Sequence, residues 1–177
     1  MQKKLIKGVY ELNSKIFKDE RGSFLSCFKN NETIYTDNWL DRKINQINIS
    51  NTSLKGSIRG LHYQENPYSE CKIIRCIRGK VWDVAVDLRK ESSTYKKWVA
   101  IQLCSKKNNA IIIPEGCAHG FQTLENNCEL LYIHSENYHP NSEKGIRWDD
   151  PIINVSWPLP LTQISLRDQS LPFYSEE

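Results

Sequence analysis

Lys72-Ile-Ile-Arg-Cys-Ile-Arg78, then Gly79, then Lys80-Val-Trp-Asp-Val-Ala-Val-Asp87 is the stretch that decides the fold. Both runs are rich in β-branched residues and neither carries a 3.6-residue apolar stripe. With a glycine between them, the pattern predicts two strands joined as a hairpin. Working outward, Ile44 to Ser50 alternates, with Ile47 and Ile49 on one face and Gln46 and Asn48 on the other. Lys97 to Cys104 places Val99, Ile101 and Leu103 on one face, and Ala110 to Pro114 and Cys128 to Tyr138 add two further β-type runs. Short strands at roughly 8–15-residue spacing predict an all-β sandwich or barrel. Short helices fit near Asn31 to Trp39 and in the C-terminal tail, where Pro158, Pro160 and Pro172 limit their length.

At 177 residues, with no repeat or Pro/Gly-rich linker, the chain reads as a single domain over 1–177. A charged fraction of 25% and an apolar fraction of 39% are those of an ordinary globular protein. No apolar run approaches a membrane span, and the basic start Met1-Gln-Lys-Lys has no signal-peptide h-region, so a cytoplasmic protein is expected. Cys27, Cys71, Cys76, Cys104, Cys117 and Cys128 form no C-x-x-C pair and no zinc-finger spacing with histidine, which predicts reduced thiols and no structural zinc. A net charge of +3, spread along the chain, argues against a nucleic-acid partner.

Five segments offer chemistry. In Ile58-Arg-Gly-Leu-His-Tyr-Gln64, His62 sits between apolar neighbours, where desolvation keeps an imidazole neutral and able to accept a proton. A core histidine bonded to a carbonyl is the plainer reading. Arg59 and His62 differ by three positions, so a regular strand points them to opposite faces; both line one cavity only if Gly60 lets the strand bulge or bend. Lys72 shares strand parity with Ile74 and Cys76, and a lysine on an inward face is costly unless it meets an anion. Pro114-Glu-Gly-Cys-Ala-His-Gly-Phe121 reads as a tight turn with His119 near its end. Tyr132, His134 and Tyr138 share parity, and a cavity tyrosine can donate its phenolic proton or simply pack. Asp168, in Ser165-Leu-Arg-Asp168, is by default a helix cap, and matters to catalysis only if it reaches His62.

Taken together with Asp19-Glu-Arg-Gly22, Gln46 to Asn48, Arg78 to Arg89, Gly145-Ile-Arg-Trp-Asp-Asp-Pro151 and Trp157-Pro-Leu159, these segments resemble the dTDP-4-dehydrorhamnose 3,5-epimerase family of the cupin superfamily. Their order and spacing match over roughly residues 5 to 173. The resemblance implies a small jelly-roll β-barrel that forms a homodimer, the neighbouring subunit completing the nucleotide pocket. It implies His62 as base paired with Asp168, Tyr132 as acid on the opposite sugar face, and Lys72 beside the enolate oxygen. Arg21, Gln46, Asn48, Arg59, His119, Glu143 and Arg167 match positions that hold the nucleotide diphosphate or the sugar, and Tyr138 an aromatic pocket position.

The chemistry is coherent on its own terms. C3 and C5 of a 4-keto hexose are α to the carbonyl, and the enolate charge develops on the C4 oxygen, where a cation stabilises it most. No redox change occurs, in keeping with the lack of a Gly-rich dinucleotide fingerprint, and no cofactor is expected. Cupin metal sites need paired histidines; Leu61-His-Tyr63 holds one, and His119 has no histidine close in sequence, so metal-independent chemistry is favoured. Ser26, Cys71 and Ile133 to Asn137 depart from the family pattern. They leave open the substrate, either the dTDP-linked sugar or a GDP-linked 4-keto-6-deoxy-heptose of a capsule or lipopolysaccharide pathway. Two other classes stand beside the epimerase: a cupin that binds sugar nucleotides without turnover, and a metal-dependent cupin oxygenase.

Overall fold

A computed structural model describes residues 6–29, 39 and 42–175. Two five-stranded antiparallel sheets carry the fold. The first runs, in spatial order, β1 (Tyr10–Asn13), β9 (Asn109–Ile113), β6 (Lys72–Arg78), β11 (Cys128–His134) and β4 (Gln46–Thr52). The second runs β12 (Glu143–Gly145), β5 (Ile58–Gln64), β10 (Cys117–Thr123), β7 (Lys80–Asp87) and β8 (Trp98–Cys104). A separate ribbon pairs β2 (Ile16–Asp19) with β3 (Gly22–Leu25). The mostly-β expectation holds. The helix expected near residues 31–39 falls, Trp39 apart, outside the described residues. Among the described residues no helix is long and apolar enough to cross a membrane.

Both strands of the opening stretch form where the sequence placed them, but they are not a hairpin. β6 pairs with β9 and β11, whereas β7 pairs with β10 and β8. Gly79 therefore carries the chain from one sheet to the other. It does so at φ +78°, and a Cβ there would stand 2.8 Å from the Cys128 sulfur, so only glycine fits.

Alternation then divides each strand into an inner and an outer face. Ile74, Cys76, Ile111, Ile113 and Leu130 from the first sheet meet Val81, Ala85, Ile101, Leu103 and Phe121 from the second in one core. Val99, Ile101 and Leu103 share that inward face as their spacing predicts. The outer faces are covered separately. Leu12, Trp39, Ile73, Ile112 and Ile133 cluster on one, and Leu61, Val84, Val86, Ile146 and Ile153 on the other. Strands β4 and β5 add nothing to this apolar core, and the space between them is polar. There Asn48, Ser50 and Thr52 face Arg59, His62 and His119 across a cavity of about 500 Å³. Ile47 and Ile49 of β4 consequently point outward, each 58% exposed.

Candidate active site

The parity conflict at Arg59 and His62 is resolved at Gly60. Pairing between β5 and β10 slips between His119 and Phe121, so that His119 stands opposite His62 and Phe121 opposite Arg59. Gly60 adopts φ +115°, and the Gly60–Leu61 peptide bond is cis. A Cβ at Gly60 would lie 2.6 Å from the Gly120 Cα, which explains a glycine on each strand. Arg59 and His62 both line the cavity. The Arg59 guanidinium donates to the Thr52 hydroxyl at 3.0 Å and to the Asn51 carbonyl at 2.9 Å.

Asp168 reaches His62. A one-turn helix, Leu166–Gln169, follows Gln163, Ile164 and Ser165, which line the cavity, and its cap is Ser165, not Asp168: the Ser165 hydroxyl accepts the Asp168 backbone N–H at 3.0 Å. That leaves the Asp168 carboxylate for β5. One oxygen stands 2.8 Å from His62 Nε2, and the other accepts the Gly60 N–H at 3.0 Å. Burial pushes the Asp168 carboxyl up, but His62 and the Gly60 N–H outweigh it and hold the group below the usual aspartate range.

On the facing sheet, Lys72, Tyr132 and His134 line the same cavity. The Tyr132 phenol is pushed well above its usual range, first by burial and then by the nearby Asp83 carboxylate, so it stays protonated at neutral pH. Lys72 is 8% exposed and meets a resident anion: its Nζ lies 2.8 Å from Glu70. His119 belongs inside strand β10 and not at the end of a turn, which closes earlier, around Gly116. Its Nε2 sits 3.0 Å from both oxygens of the buried Asp83. Burial raises the Asp83 carboxyl against the pull of His119 and Lys72.

At the mouth, the Tyr138 hydroxyl donates to Glu143 at 2.6 Å, and Arg167 pairs with the same carboxylate. Gln46 lies behind this rim, donating to the Asn48 side-chain amide oxygen at 3.1 Å and accepting the Tyr138 N–H at 2.8 Å. Arg21 is elsewhere: it tips the β2–β3 ribbon, paired with Asp19 and 83% exposed. Among the described residues no three His, Cys, Asp or Glu side chains cluster as a metal site requires. His62 and His119, distant in sequence, are cross-strand partners, but each already holds a carboxylate of its own.

Three polar residues of the cavity region were not singled out as site residues by sequence. Asp83 carried a signal, an ionisable residue at an inward parity between Val81 and Ala85. Glu70 carried a weaker one, two positions before Lys72. His134 shared parity with Tyr132, but nothing in sequence gave it a partner.

Known proteins resemble this chain over nearly its whole length. The profile of the family described as dTDP-4-dehydrorhamnose 3,5-epimerase matches residues 3–176. The dTDP-4-dehydrorhamnose 3,5-epimerase of Methanothermobacter thermautotrophicus is 42% identical over 167 residues, 92% of this chain and 88% of that one. The Legionella pneumophila dTDP-6-deoxy-D-glucose-3,5-epimerase, solved with dTDP-4-keto-L-rhamnose, superposes with a TM-score of 0.86 at 33% identity, over 96% of this chain and 95% of that one. A Streptomyces bikiniensis 3′-monoepimerase, solved with dTDP-quinovose, gives a TM-score of 0.89 at 29% identity, over 98% and 87%. By the profile match and the extent of these identities, the chain belongs to the dTDP-4-dehydrorhamnose 3,5-epimerase family.

Proposed function

We propose that this isomerase inverts C3 and C5 of a dTDP-linked 4-keto-6-deoxy sugar, with His62 as base and Tyr132 as acid. The observation that carries the reading is the His62–Asp168 pair on one wall of a cavity whose other wall holds Tyr132 and Lys72. With Nε2 committed to Asp168, the second ring nitrogen of His62 takes the proton from C3. The C–H electron pair moves into the C3–C4 bond and the carbonyl pair onto the C4 oxygen. Asp168 stabilises the imidazolium that forms, as a carboxylate does for any base histidine it orients. Lys72 stabilises the enolate oxygen through the ammonium donors that Glu70 leaves free. Tyr132 returns a proton from the other face, which inverts the centre; the phenolate then recovers its proton and the imidazolium loses its own, so no net oxidation occurs. The cycle repeats at C5. Asn48, Arg59, His119, Tyr138, Glu143 and Arg167 surround the sugar and diphosphate, with Gln46 holding Asn48 and Tyr138 from behind.

The same proposal includes a homodimer of jelly-roll barrels. Ile47 and Ile49 make an apolar outer face on the edge strand β4, and the ribbon exposes Phe17 (53%) and Phe24 (71%) beside Arg21. Such surfaces are unusual on a monomer. A partner covering them lets Arg21, which has no place in its own cavity, serve the neighbour's diphosphate. The cytoplasmic setting is part of it too, since all six cysteines are free thiols.

Deuterium wash-in tests the chemistry. In D₂O, dTDP-4-keto-6-deoxyglucose should gain deuterium at C3 and C5; exchange at C3 alone would make this a 3-epimerase, and no exchange with any 4-keto nucleotide sugar would end the enzyme reading. A thermal-shift series with dTDP, GDP, UDP and CDP tests the nucleotide, because only a ligand of the folded state raises its melting temperature.

A further inference from the structure

Glu70 and His134 are cavity groups that the mechanism above does not use. The chain is pinned at this point by two bonds: Ser135 N–H donates to the Cys71 carbonyl at 3.0 Å, and Cys71 N–H donates to the Ser135 hydroxyl at 2.8 Å. This clasp sets Glu70 beside the end of β11, where Lys72 is the register partner of His134. One Glu70 oxygen holds the Lys72 ammonium at 2.8 Å; the other stands 2.6 Å from His134 Nδ1. The three side chains are close to buried, at 9%, 10% and 12% exposed for Glu70, Lys72 and His134.

Neutralising a buried lysine would need only Glu70. The second oxygen does something different: as an ionised carboxylate it accepts and never donates, so it fixes the His134 proton on Nδ1. Burial pushes the Glu70 carboxyl up, but His134 and Lys72 together hold it below the usual range, so it is ionised at neutral pH. In the neutral imidazole, with its one N–H on Nδ1, His134 Nε2 carries the lone pair. Its ring lies stacked near Tyr132, centroids 5.8 Å apart and planes at 12°, and both line the cavity. The one protein group near Nε2 among the described contacts is the Asn48 amide nitrogen at 3.4 Å, at the long end of hydrogen-bond distance.

We infer that His134 is a substrate-specificity residue that accepts a hydrogen bond from a sugar hydroxyl through Nε2, with Glu70 as the positioning residue that sets its tautomer. The class of group is dictated by the lone pair: a neutral O–H donor fits, whereas a phosphate oxygen, which only accepts, does not. A site built around a hydroxyl discriminates strongly against an analogue lacking it, because its own polar atom is then left buried without a partner. The inference rests on the epimerase reading and extends it to the choice of sugar.

The test compares kcat/KM for C3 exchange between dTDP-4-keto-6-deoxyglucose and analogues that differ by one hydroxyl, at C2, C3 or C6. Rates are normalised to the number of dTDP-binding sites. For one of these hydroxyls the wild type should prefer the bearing sugar at least tenfold. His134→Phe, which keeps the ring against Tyr132 and removes the acceptor, should bring that preference within threefold. His134→Gln should recover part of it, and Glu70→Gln should weaken it by releasing the tautomer. Affinity for dTDP itself should stay within threefold in all three variants. The inference is overturned if His134→Phe slows every sugar by the same factor, if no wild-type preference exists, or if dTDP affinity falls tenfold, which would move the contact to the diphosphate. Wild-type exchange is the control for the reading beneath it: if the wild type exchanges and the variants discriminate unchanged, only His134 is wrong. If the wild type exchanges nothing, both fall.

Discussion

Nε2 of His62 stands 2.8 Å from Oδ1 of Asp168, a residue 106 positions further along the chain. The contact exists because a one-turn helix capped by Ser165 frees the Asp168 carboxylate to accept from His62 and Gly60 together. An amide in that place has one accepting oxygen for two donors. Asp168→Asn should therefore misplace the His62 proton and cut C3 exchange by roughly 10²-fold or more. Thermal-shift binding of dTDP should change little; a variant that still exchanges within threefold of wild type would remove the dyad from the mechanism.

Tyr132→Phe separates the two proton transfers. The base remains, so C3 deuterium should still wash in through His62 and return to the face it left. Inversion needs the phenolic proton, and epimerised product should fall by about 10²–10⁴-fold. NMR of the sugar recovered from D₂O reads both at once. Product formation at the wild-type rate would mean that another group is the acid.

Much of the strand set was legible in sequence, because period-2 alternation survives in Val99, Ile101 and Leu103 and in the β6 and β7 runs. Pairing was not. Gly79 looks the same in sequence whether it closes a hairpin or passes a strand to another sheet, and only the partners supplied by β9, β10 and β11 decide it. The site divides similarly. His62, Lys72 and Tyr132 could be picked out by residue type and neighbours, and Gly60 by the parity conflict it had to relieve. Asp83, Glu70 and His134 gain meaning only through contacts with neighbouring strands distant in sequence, which no local pattern encodes.

Gly60→Ala should be among the most disruptive single-methyl changes in the chain. The new Cβ meets backbone at 2.6 and 2.7 Å, from the Gly120 Cα and the His119 carbonyl, and φ +115° disfavours any L side chain. A loss of about 2–3 kcal/mol is expected, which lowers the melting temperature by roughly 4–12 °C in a chain of this size. Calorimetry of the purified variant checks it. A shift under a degree would mean that the two strands can separate at little cost.

Ile47→Lys with Ile49→Lys addresses the proposed interface. Both side chains are 58% exposed in one chain, so the charges cost little to an isolated subunit but much to an apolar contact between two. Sedimentation should move from dimer to monomer, and dTDP affinity should fall with it, since Arg21 would no longer reach a neighbour. A variant that sediments with wild type places the interface elsewhere.

Acid stability offers a last measurement, away from the cavity. Asp87 is fully buried at the end of β7, where burial pushes its carboxyl up, but bonds from Arg89, Ser92 and Thr94 outweigh that and hold it down to about 2. A depressed carboxylate contributes stability that is complete above its unfolded value of about 3.9. That contribution is lost as pH falls through about 2. The difference corresponds to about 2–3 kcal/mol. Urea midpoints taken from pH 5 down to pH 2 should therefore fall more steeply for wild type than for Asp87→Asn, which is less stable at pH 5 but has no proton to gain. Parallel curves for the two proteins would mean that Asp87 takes up its proton at the same pH folded and unfolded, and that the Arg89 bonds add nothing specific to the charged form.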